Sequence, residues 1–489
     1  MSTWLLAPLS LLPLLAPPAD DAWSDLSARW RDRLARHDVP GLAVAVVAAD
    51  RVLHAEGFGV RDAAGGAVDP ETVFYIASAT KPFTAFAVAL LAEDGRLSID
   101  APVRSALPRF ALATPEATAD VTILDLLSHR RGLTAHPAIV FNDAYTGQIT
   151  EDRFFRLLRR SAPREEYRYN NLHFTILGRV VEAASGLHWK EFLARRVFTP
   201  LSMTRTSGNV STFAGDPNVA VGLERRGDAW AEVALAKTDA TMHAAGGLKT
   251  TVLDLARWIR LHLNGGEVDG VRIASDATMT AMTTPVVEFD GAYGPFTRDA
   301  CASGWNVGTY DGRTMVHHFG GYVGFAAHVS FLPEHGVGVA VVANGSGAAS
   351  SAVHVVACDV YDRLIGTSGG DDAWAEMEAA GARASTPPIE RRPGPVAADG
   401  LMLDAAAYEG RYEHDDWGTV VVSIEGGELA ARIGNLRPRF VSSALDGVRF
   451  DLFPGSEVDG WFVLDDDEEE VVAFVVSANG DEVEFERRG

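Results

Sequence analysis

An apolar run that begins at a serine–lysine pair constrains the fold of this chain more than any other feature. The run Lys81–Leu91 follows Ser78-Ala79-Thr80 and ends before Gly95. Proline near the start of a helix costs no hydrogen bond, so Pro82 is compatible with a helix here. Because the run is apolar on almost every face, it predicts a helix buried inside a large core.

The pairing of Ser78 with Lys81 points to chemistry. Of the 43 basic residues only four are lysines, and arginine supplies the other 39. A lysine matters most where an amine must lose its proton, which a guanidinium does not do in a protein. Residues three apart on a helix have Cβ atoms about 5–6 Å apart on one face. The pair therefore predicts a nucleophile beside its base, although a chance match on a solvated helix is the alternative.

A second stretch carries polar residues that suit the same chemistry. The segment Arg168–Phe174 contains Tyr169 and Asn171 and leads into an apolar pattern of helical period. A tyrosine here could present its phenol to the serine hydroxyl, and Asn171 could orient Lys81 or a substrate amide. An ordinary loop is the alternative, since both residue types are common in loops.

The third stretch, Val316–Gly321, precedes two alternating apolar runs, Phe325–Leu332 and Val337–Val342. A short turn-forming segment separates the two runs, which predicts a β-hairpin. Glycines beside a strand allow a ligand to approach the backbone closely. Taken alone, His318 would be a strand-end histidine without a role.

Together and in this order, the three stretches resemble the serine β-lactamase/penicillin-binding-protein superfamily. The likeness is greatest to its class C β-lactamase, DD-peptidase and family VIII esterase branch, which carries S-x-x-K, then Y-x-N, then H-x-G or K-T-G. It covers roughly residues 23–365. Serine peptidase relatives with an added C-terminal lipocalin-like domain are most similar. The resemblance implies an α+β fold, with a β-lactamase/transpeptidase-like antiparallel sheet flanked by helices, a helical subdomain and a C-terminal antiparallel β-barrel.

The resemblance also implies a role for individual residues. Ser78 would be the nucleophile, Lys81 its base, and Tyr169 the group that carries the proton between Ser78 and the leaving group. Substrate would be held by Asn171, His318, Gly320 and Gly321. The backbone N–H groups of Ser78 and Gly321 would form the oxyanion hole. Histidine at 318 is a weaker, pH-dependent cation than the lysine of K-T-G, which counts against a dedicated β-lactamase.

The implied activity is that of a serine hydrolase acting through an acyl-enzyme on a small amide or ester. The acyl donor stays open between a peptide, including a D-amino-acid peptide, an ester and a β-lactam. The alternative is a non-catalytic penicillin-binding-like protein that binds ligands or serves as a scaffold. No cofactor is expected. No metal site is expected either, because His317 and His318 are adjacent and neither H-E-x-x-H nor C-x-x-C occurs.

Composition divides the chain into segments. Residues 1–22 contain an apolar stretch of signal-peptide length, too short to span a bilayer, so we expect export to the periplasm or the medium. The hydrolase domain is expected at 23–365 and a linker rich in glycine and proline at 366–400. Short β-patterned runs recur in 401–489 without a catalytic constellation, which predicts a small antiparallel barrel or sandwich, and the resemblance implies the barrel. We expect this domain to set oligomeric state or gate substrate access.

Charge and cysteine content limit the partners. The net charge of −23 arises from 43 basic and 66 acidic residues and repels nucleic acid and anionic membranes. We therefore expect a small-molecule or short-peptide substrate as the partner, and leave a homo-oligomer open. Cys301 and Cys358 are expected as two packed thiols rather than a disulfide.

Overall fold

A computed structural model describes residues 20–488, apart from 135–136, 227–228, 234, 384–399, 439, 445, 454–455 and 479–480. Nearly all of the expected signal peptide and the second half of the expected linker lie outside the described residues. Among the described helices, none is both long and apolar enough to cross a bilayer. Both cysteines are buried and free.

The described part of the chain contains thirteen α-helices. In chain order they are α1 Asp20–Arg36, α2 Lys81–Glu93, α3 Val103–Ala106, α4 Pro115–Asp120, α5 Ile123–Ser128, α6 Pro137–Phe141, α7 Glu151–Leu158, α8 Asn171–Ser185, α9 Trp189–Leu193, α10 Val252–Leu263, α11 Asp276–Thr283, α12 Ala348–Ile365 and α13 Gly369–Arg383. Helix α2 is the predicted apolar helix, and ten of its thirteen residues are buried.

The strands form two large antiparallel sheets and several short ladders. In chain order they are β1 Gly41–Ala48, β2 Val52–Gly59, β3 Phe74–Tyr75, β4 Leu223–Arg226, β5 Ala229–Glu232, β6 Lys249–Thr250, β7 Glu267–Val268, β8 Val271–Arg272, β9 Val287–Glu288, β10 Ala292–Tyr293, β11 Phe296–Thr297, β12 Ala300–Cys301, β13 Asn306–Tyr310, β14 Arg313–Tyr322, β15 Phe325–Leu332, β16 Val337–Ala343, β17 Gly410–His414, β18 Gly418–Glu425, β19 Glu428–Ile433, β20 Phe440–Ala444, β21 Gly447–Phe453, β22 Ser456–Leu464, β23 Val471–Ala478 and β24 Asp481–Arg488.

The main sheet joins both ends of the hydrolase domain. Among the described residues it has eight strands in the order β2-β1-β16-β15-β14-β13-β12-β9, and β1 pairs with β16 in the register Val44 to Val341. Side chains alternate along β1: Ala43 contributes to the core shared with α2, α8 and α10, and Val44 to the core shared with α1 and α12. The sheet is therefore covered by helices on both faces, as the α+β prediction requires.

The C-terminal region is a nearly closed barrel. Within the described residues, eight strands follow the order β19-β18-β17-β24-β23-β22-β21-β20. Its interior is filled by aromatic side chains, Tyr408, Tyr412, Phe440, Phe450, Phe462, Phe474 and Phe485. The predicted α+β architecture with a C-terminal antiparallel barrel is confirmed.

The barrel docks on the hydrolase domain through the 142–148 segment and helix α7. The Asp416 carboxylate accepts hydrogen bonds from Arg156 at 2.6 Å and Arg160 at 2.5 Å. The Gln148 side-chain amide donates to the carbonyl of Thr419 and accepts from its N–H, at 3.0 and 2.7 Å. These contacts tie the barrel to a segment that also lines the candidate active site.

Candidate active site

Ser78 lies in a single 3-10 turn, Ala77–Thr80, between β3 and α2. Ala77 before it has a φ of 45°, a left-handed conformation that costs a residue with a Cβ about 1–2 kcal/mol. The turn is anchored because the N–H of Ile76 donates to the carbonyl of Leu248, and the N–H of Leu248 donates to Thr80 Oγ1, both at 3.1 Å. The turn leaves the half-buried Ser78 at a cavity of about 50 Å³.

The Lys81 amine is fully buried and has three oxygen neighbours. Its Nζ lies 3.0 Å from Ser78 Oγ, 2.8 Å from Asn171 Oδ1 and 2.7 Å from the carbonyl oxygen of Ala245. Both Asn171 and Ala245 can only accept from the amine at these atoms. A neutral amine therefore gives its two protons to them and directs its lone pair at the Ser78 hydroxyl.

Burial decides the protonation of Lys81. Desolvation lowers the pKa of its amine well below the ordinary value, and none of the described carboxylates forms an ion pair with it. Burial therefore favours the neutral amine over the ammonium. This is the arrangement that a general base for a serine hydroxyl requires.

Asn171 reaches Lys81 because its neighbour fixes the start of α8. The Asn170 side chain accepts a hydrogen bond from the N–H of Leu172 at 2.9 Å, a helix cap that the sequence analysis did not identify. Asn171 is the first residue of the helix and projects toward the amine. Tyr169, one residue before the cap, is 40% exposed, and its ring centroid is 4.8 Å from Lys81 Nζ.

A buried pair of histidines lies behind Tyr169. The N–H of Leu133 donates to His173 Nε2 at 3.1 Å, so the proton of His173 is on Nδ1 and is donated to His129 Nδ1 at 2.8 Å. His129 also accepts from the N–H of Asn170 at 3.3 Å, which leaves its own proton on Nε2. Burial lowers the pKa of His173 to about 3, so the pair stays neutral. The His129 ring centroid is 4.8 Å from that of Tyr169.

His318 is buried near Tyr169, with 6.3 Å between ring centroids. Its Nδ1 lies 2.8 Å from the carbonyl oxygen of Phe319, so the Nδ1 proton is donated there. Burial lowers the pKa of His318 well below its ordinary value, and the Lys81 charge lowers it further. At neutral pH this histidine is uncharged, whereas the corresponding lysine of K-T-G would be a cation.

The two glycines of the third stretch differ in their surroundings. A Cβ on Gly320 would lie 2.0 Å from the carbonyl oxygen of Ile76, whereas a Cβ on Gly321 would meet nothing within 4 Å. Gly320 thus allows β14 to lie against the strand that leads into the Ser78 turn. Gly321 lines the same cavity as Ser78.

A second lysine, Lys237, lines this cavity, although its sequence context predicts no role for it. Lys237 lies among the rings of three tyrosines, with Nζ 5.5 Å from the centroid of Tyr75, 5.3 Å from Tyr145 and 4.3 Å from Tyr322. Its rarity is a usable signal, because each of the four lysines in this arginine-rich chain stands where arginine would supply the same charge. Among the described residues, no cluster of three or more His, Cys, Asp or Glu side chains is placed to hold a metal ion.

Comparison with known proteins identifies the family of this chain. The Beta-lactamase family model matches residues 26–355. The chain is 28% identical over 435 residues to the unguisins hydrolase ungD of Aspergillus violaceofuscus, covering 80% of this chain and 74% of that protein. It is 29% identical over 406 residues to penicillin-binding protein 4 of Amycolatopsis lactamdurans, covering 79% and 98%.

Solved structures share the fold. The octameric penicillin-binding protein homologue from Pyrococcus abyssi matches with a TM-score of 0.61 and 22% identity, over 94% of this chain and 99% of that one. The D-amino acid amidase from Ochrobactrum anthropi SV3 matches with a TM-score of 0.56 and 20% identity, over 75% and 100%. Since the family model covers well over half of its residues, the chain belongs to the Beta-lactamase family of serine hydrolases.

Proposed function

We propose that this protein hydrolyses a small amide or ester through an acyl-enzyme formed on Ser78. The observation that carries the proposal is the contact between Lys81 Nζ and Ser78 Oγ at 3.0 Å, made by an amine whose pKa burial lowers. A binding or scaffold protein needs no desolvated amine aimed at a hydroxyl. The contact therefore favours a hydrolase over the non-catalytic alternative.

The acylation step follows from the hydrogen bonds of Lys81. Its lone pair takes the Ser78 proton while Oγ attacks the substrate carbonyl and a C–O bond forms. The proton then passes through Tyr169 to the leaving nitrogen or oxygen, and the bond between carbonyl carbon and leaving group breaks. Attack by water, with the proton flow reversed, cleaves the acyl-enzyme and regenerates Ser78.

The oxyanion of each tetrahedral intermediate would accept hydrogen bonds from the backbone N–H groups of Ser78 and Gly321. Losing one such donor typically costs about 3–4 kcal/mol of transition-state stabilisation. The absence of a Cβ at Gly321 leaves room for the substrate beside this donor. The two glycines of the third stretch then have different roles. Gly320 allows the close backbone packing, and Gly321 donates its N–H to the oxyanion.

We place amides ahead of esters and β-lactams as substrates. The relatives named above include a hydrolase of unguisins and a D-amino acid amidase. The neutral state of His318 removes the fixed cation that K-T-G would supply beside Tyr169. The small cavity at Ser78 favours a short acyl group. A D-aminoacyl amide or short D-amino-acid peptide meets these conditions.

Covalent labelling tests the proposal. Intact mass after incubation with a fluorophosphonate should rise by one adduct in the wild type, and Ser78→Ala should remain unlabelled. Ser185→Ala, a change at the end of α8, is the control and should label normally. A panel of D-aminoacyl amides, short esters and β-lactams then ranks the substrates. Labelling that persists in Ser78→Ala would contradict the assignment.

We also propose that the protein is exported and self-associates. Export is motivated by the apolar stretch within residues 1–22, and self-association by the octameric homologue that shares the fold. Terminal sequencing of protein recovered from the culture medium tests the first, and light scattering of the purified full chain tests the second. An intact N-terminus in a cell-associated protein, or a monomeric mass, would contradict them.

A further inference from the structure

Lys237 carries a half-buried amine that lines the same cavity as Ser78. Its Nζ donates to the carbonyl of Ala144 at 2.6 Å and makes a long contact of 3.5 Å to the carbonyl of Thr241. Among the described residues, no carboxylate forms an ion pair with it. An ammonium carries three protons, so at least one is left facing the cavity and the tyrosine rings. A desolvated cation in this state gains most from an anion delivered by a ligand.

The groups that face Lys237 do not supply that anion. The phenols of Tyr75, Tyr145 and Tyr322 have pKa values raised by burial, so they are neutral. Asp143 contributes only a longer-range attraction, since its carboxylate accepts from Thr175 Oγ1 at 3.0 Å and lies 3.8 Å from His243 Nδ1. Burial and neighbouring cations hold the pKa of His243 well below its ordinary value, so it is uncharged.

Strand β14 places Lys237 on the acyl side of the reacting carbonyl. His318, on this strand, lies beside Tyr169. Because Tyr169 is proposed to give the leaving group its proton, this end of the strand is the leaving-group side. Four residues further on, roughly 13 Å along an extended strand, Tyr322 packs against Lys237. The oxyanion donor Gly321 lies between these two ends. A substrate whose leaving group points to Tyr169 therefore extends its acyl group toward Lys237.

We propose that Lys237, with Tyr75 and Tyr322, forms a subsite for a carboxylate carried by the acyl group of the substrate. The preferred substrates are then amides or esters that react through one carbonyl and keep a free carboxylate on the same acyl group. Dicarboxylic acids and acidic amino acids supply such acyl groups. The inference rests on the proposed function, since it concerns selectivity at the same Ser78. The carboxylate would accept a hydrogen bond from the remaining N–H of the Lys237 ammonium. Its negative charge would offset the positive charge that is poorly solvated in the cavity.

Two matched esters test the subsite in the full chain, the half p-nitrophenyl ester of adipic acid and its methyl-capped form. The wild type should prefer the half-ester. Lys237→Met should lower the ratio of the two kcat/KM values about tenfold or more, the effect of losing one charge-assisted hydrogen bond. Lys190→Met is the control and should leave the ratio unchanged, because Lys190 bonds Asn209 and the carbonyl of Asp239 outside this cavity.

The wild type provides a second measurement that needs no variant. Burial lowers the pKa of Lys237 to about 7, so its charge is lost as pH rises through that value and the half-ester preference should fall. A ratio near one, a ratio unaffected by Lys237→Met, or a pH-independent ratio would overturn the subsite alone. Failure to hydrolyse either ester, together with no labelling of Ser78, would instead overturn the proposed function and the subsite with it.

Discussion

Gly320 lies so close to Ile76 that a single added Cβ atom would stand 2.0 Å from the Ile76 carbonyl oxygen. This contact lets β14 pass directly against the segment that leads into the Ser78 turn. The distance between the backbone N–H groups of Ser78 and Gly321, the proposed oxyanion donors, therefore depends on the absence of a side chain at position 320. It does not depend in the same way on position 321, where the space is open.

The first prediction compares these two glycines. Gly320→Ala must push backbone against backbone, so it should lower the free energy of unfolding by about 1–3 kcal/mol and reduce acylation of Ser78. Gly321→Ala is the matched control and should change the unfolding free energy by less than about 0.5 kcal/mol. Urea unfolding of both variants checks this. Equal stability of the two would show that the close contact is not maintained in solution.

The second prediction concerns pH. The base must be neutral, so kcat/KM for a neutral ester should rise with pH as Lys81 loses its proton. Because burial lowers the pKa of Lys81 well below its ordinary value, the apparent pKa of this rising limb should lie clearly below the ordinary lysine value of about 10.4. A pH-rate profile measures it. A profile that is flat, or that falls through this range, would contradict a lysine base.

The third prediction tests the histidine pair. His173→Phe removes the acceptor of the Leu133 N–H and the donor to His129, so it should destabilise the fold by about 1–3 kcal/mol. His335→Phe, in the turn between β15 and β16, should have little effect. Thermal unfolding compares the two. If His173→Phe is as stable as the wild type, the hydrogen bonds assigned to His173 do not stabilise the fold.

The fourth prediction tests barrel docking. Asp416→Ala leaves Arg156 and Arg160 without their shared carboxylate, so hydrogen exchange should increase in the 142–148 segment. Asp459→Ala, which breaks an exposed pair within the barrel, is the control and should leave that segment unchanged. Tyr145 belongs to this segment and its ring lies beside Lys237, so the half-ester preference should also weaken in Asp416→Ala. Unchanged exchange would mean that other contacts hold the barrel.

The sequence predicted those helices and strands that a local pattern of apolar residues specifies. The apolar run predicted α2, and the alternating runs around the 333–335 turn predicted the β15–β16 hairpin, because periodicity is a local property. The prediction that Asn171 lies beside Lys81 came from the family resemblance, because the two residues are 90 positions apart and no local pattern links them.

The remaining features depend on tertiary contacts that no local pattern encodes. Lys237 meets Tyr75 and Tyr322 from distant parts of the chain, so only its rarity marked it. Helix α13 occupies part of the segment where a linker was expected. Gly369 and Gly370, which contributed to the expectation of a linker, instead begin this helix. Their N–H groups donate to the Asp362 carboxylate at 3.2 and 2.6 Å, and Trp374 is buried in the core shared with α1 and α12. The domain boundaries themselves stay predictions.

Replacement of Lys81 by arginine tests the central claim most directly. Arg keeps the positive charge but accepts no proton, so Lys81→Arg should fold and lose about 10²–10⁴-fold in the rate of Ser78 acylation. Lys190→Arg is the matched control, because Lys190 is also desolvated and also bonds an asparagine and a backbone carbonyl, but among the described residues it donates to no serine hydroxyl. The account predicts near-normal acylation in that control. Near-normal acylation in a folded Lys81→Arg variant would contradict it.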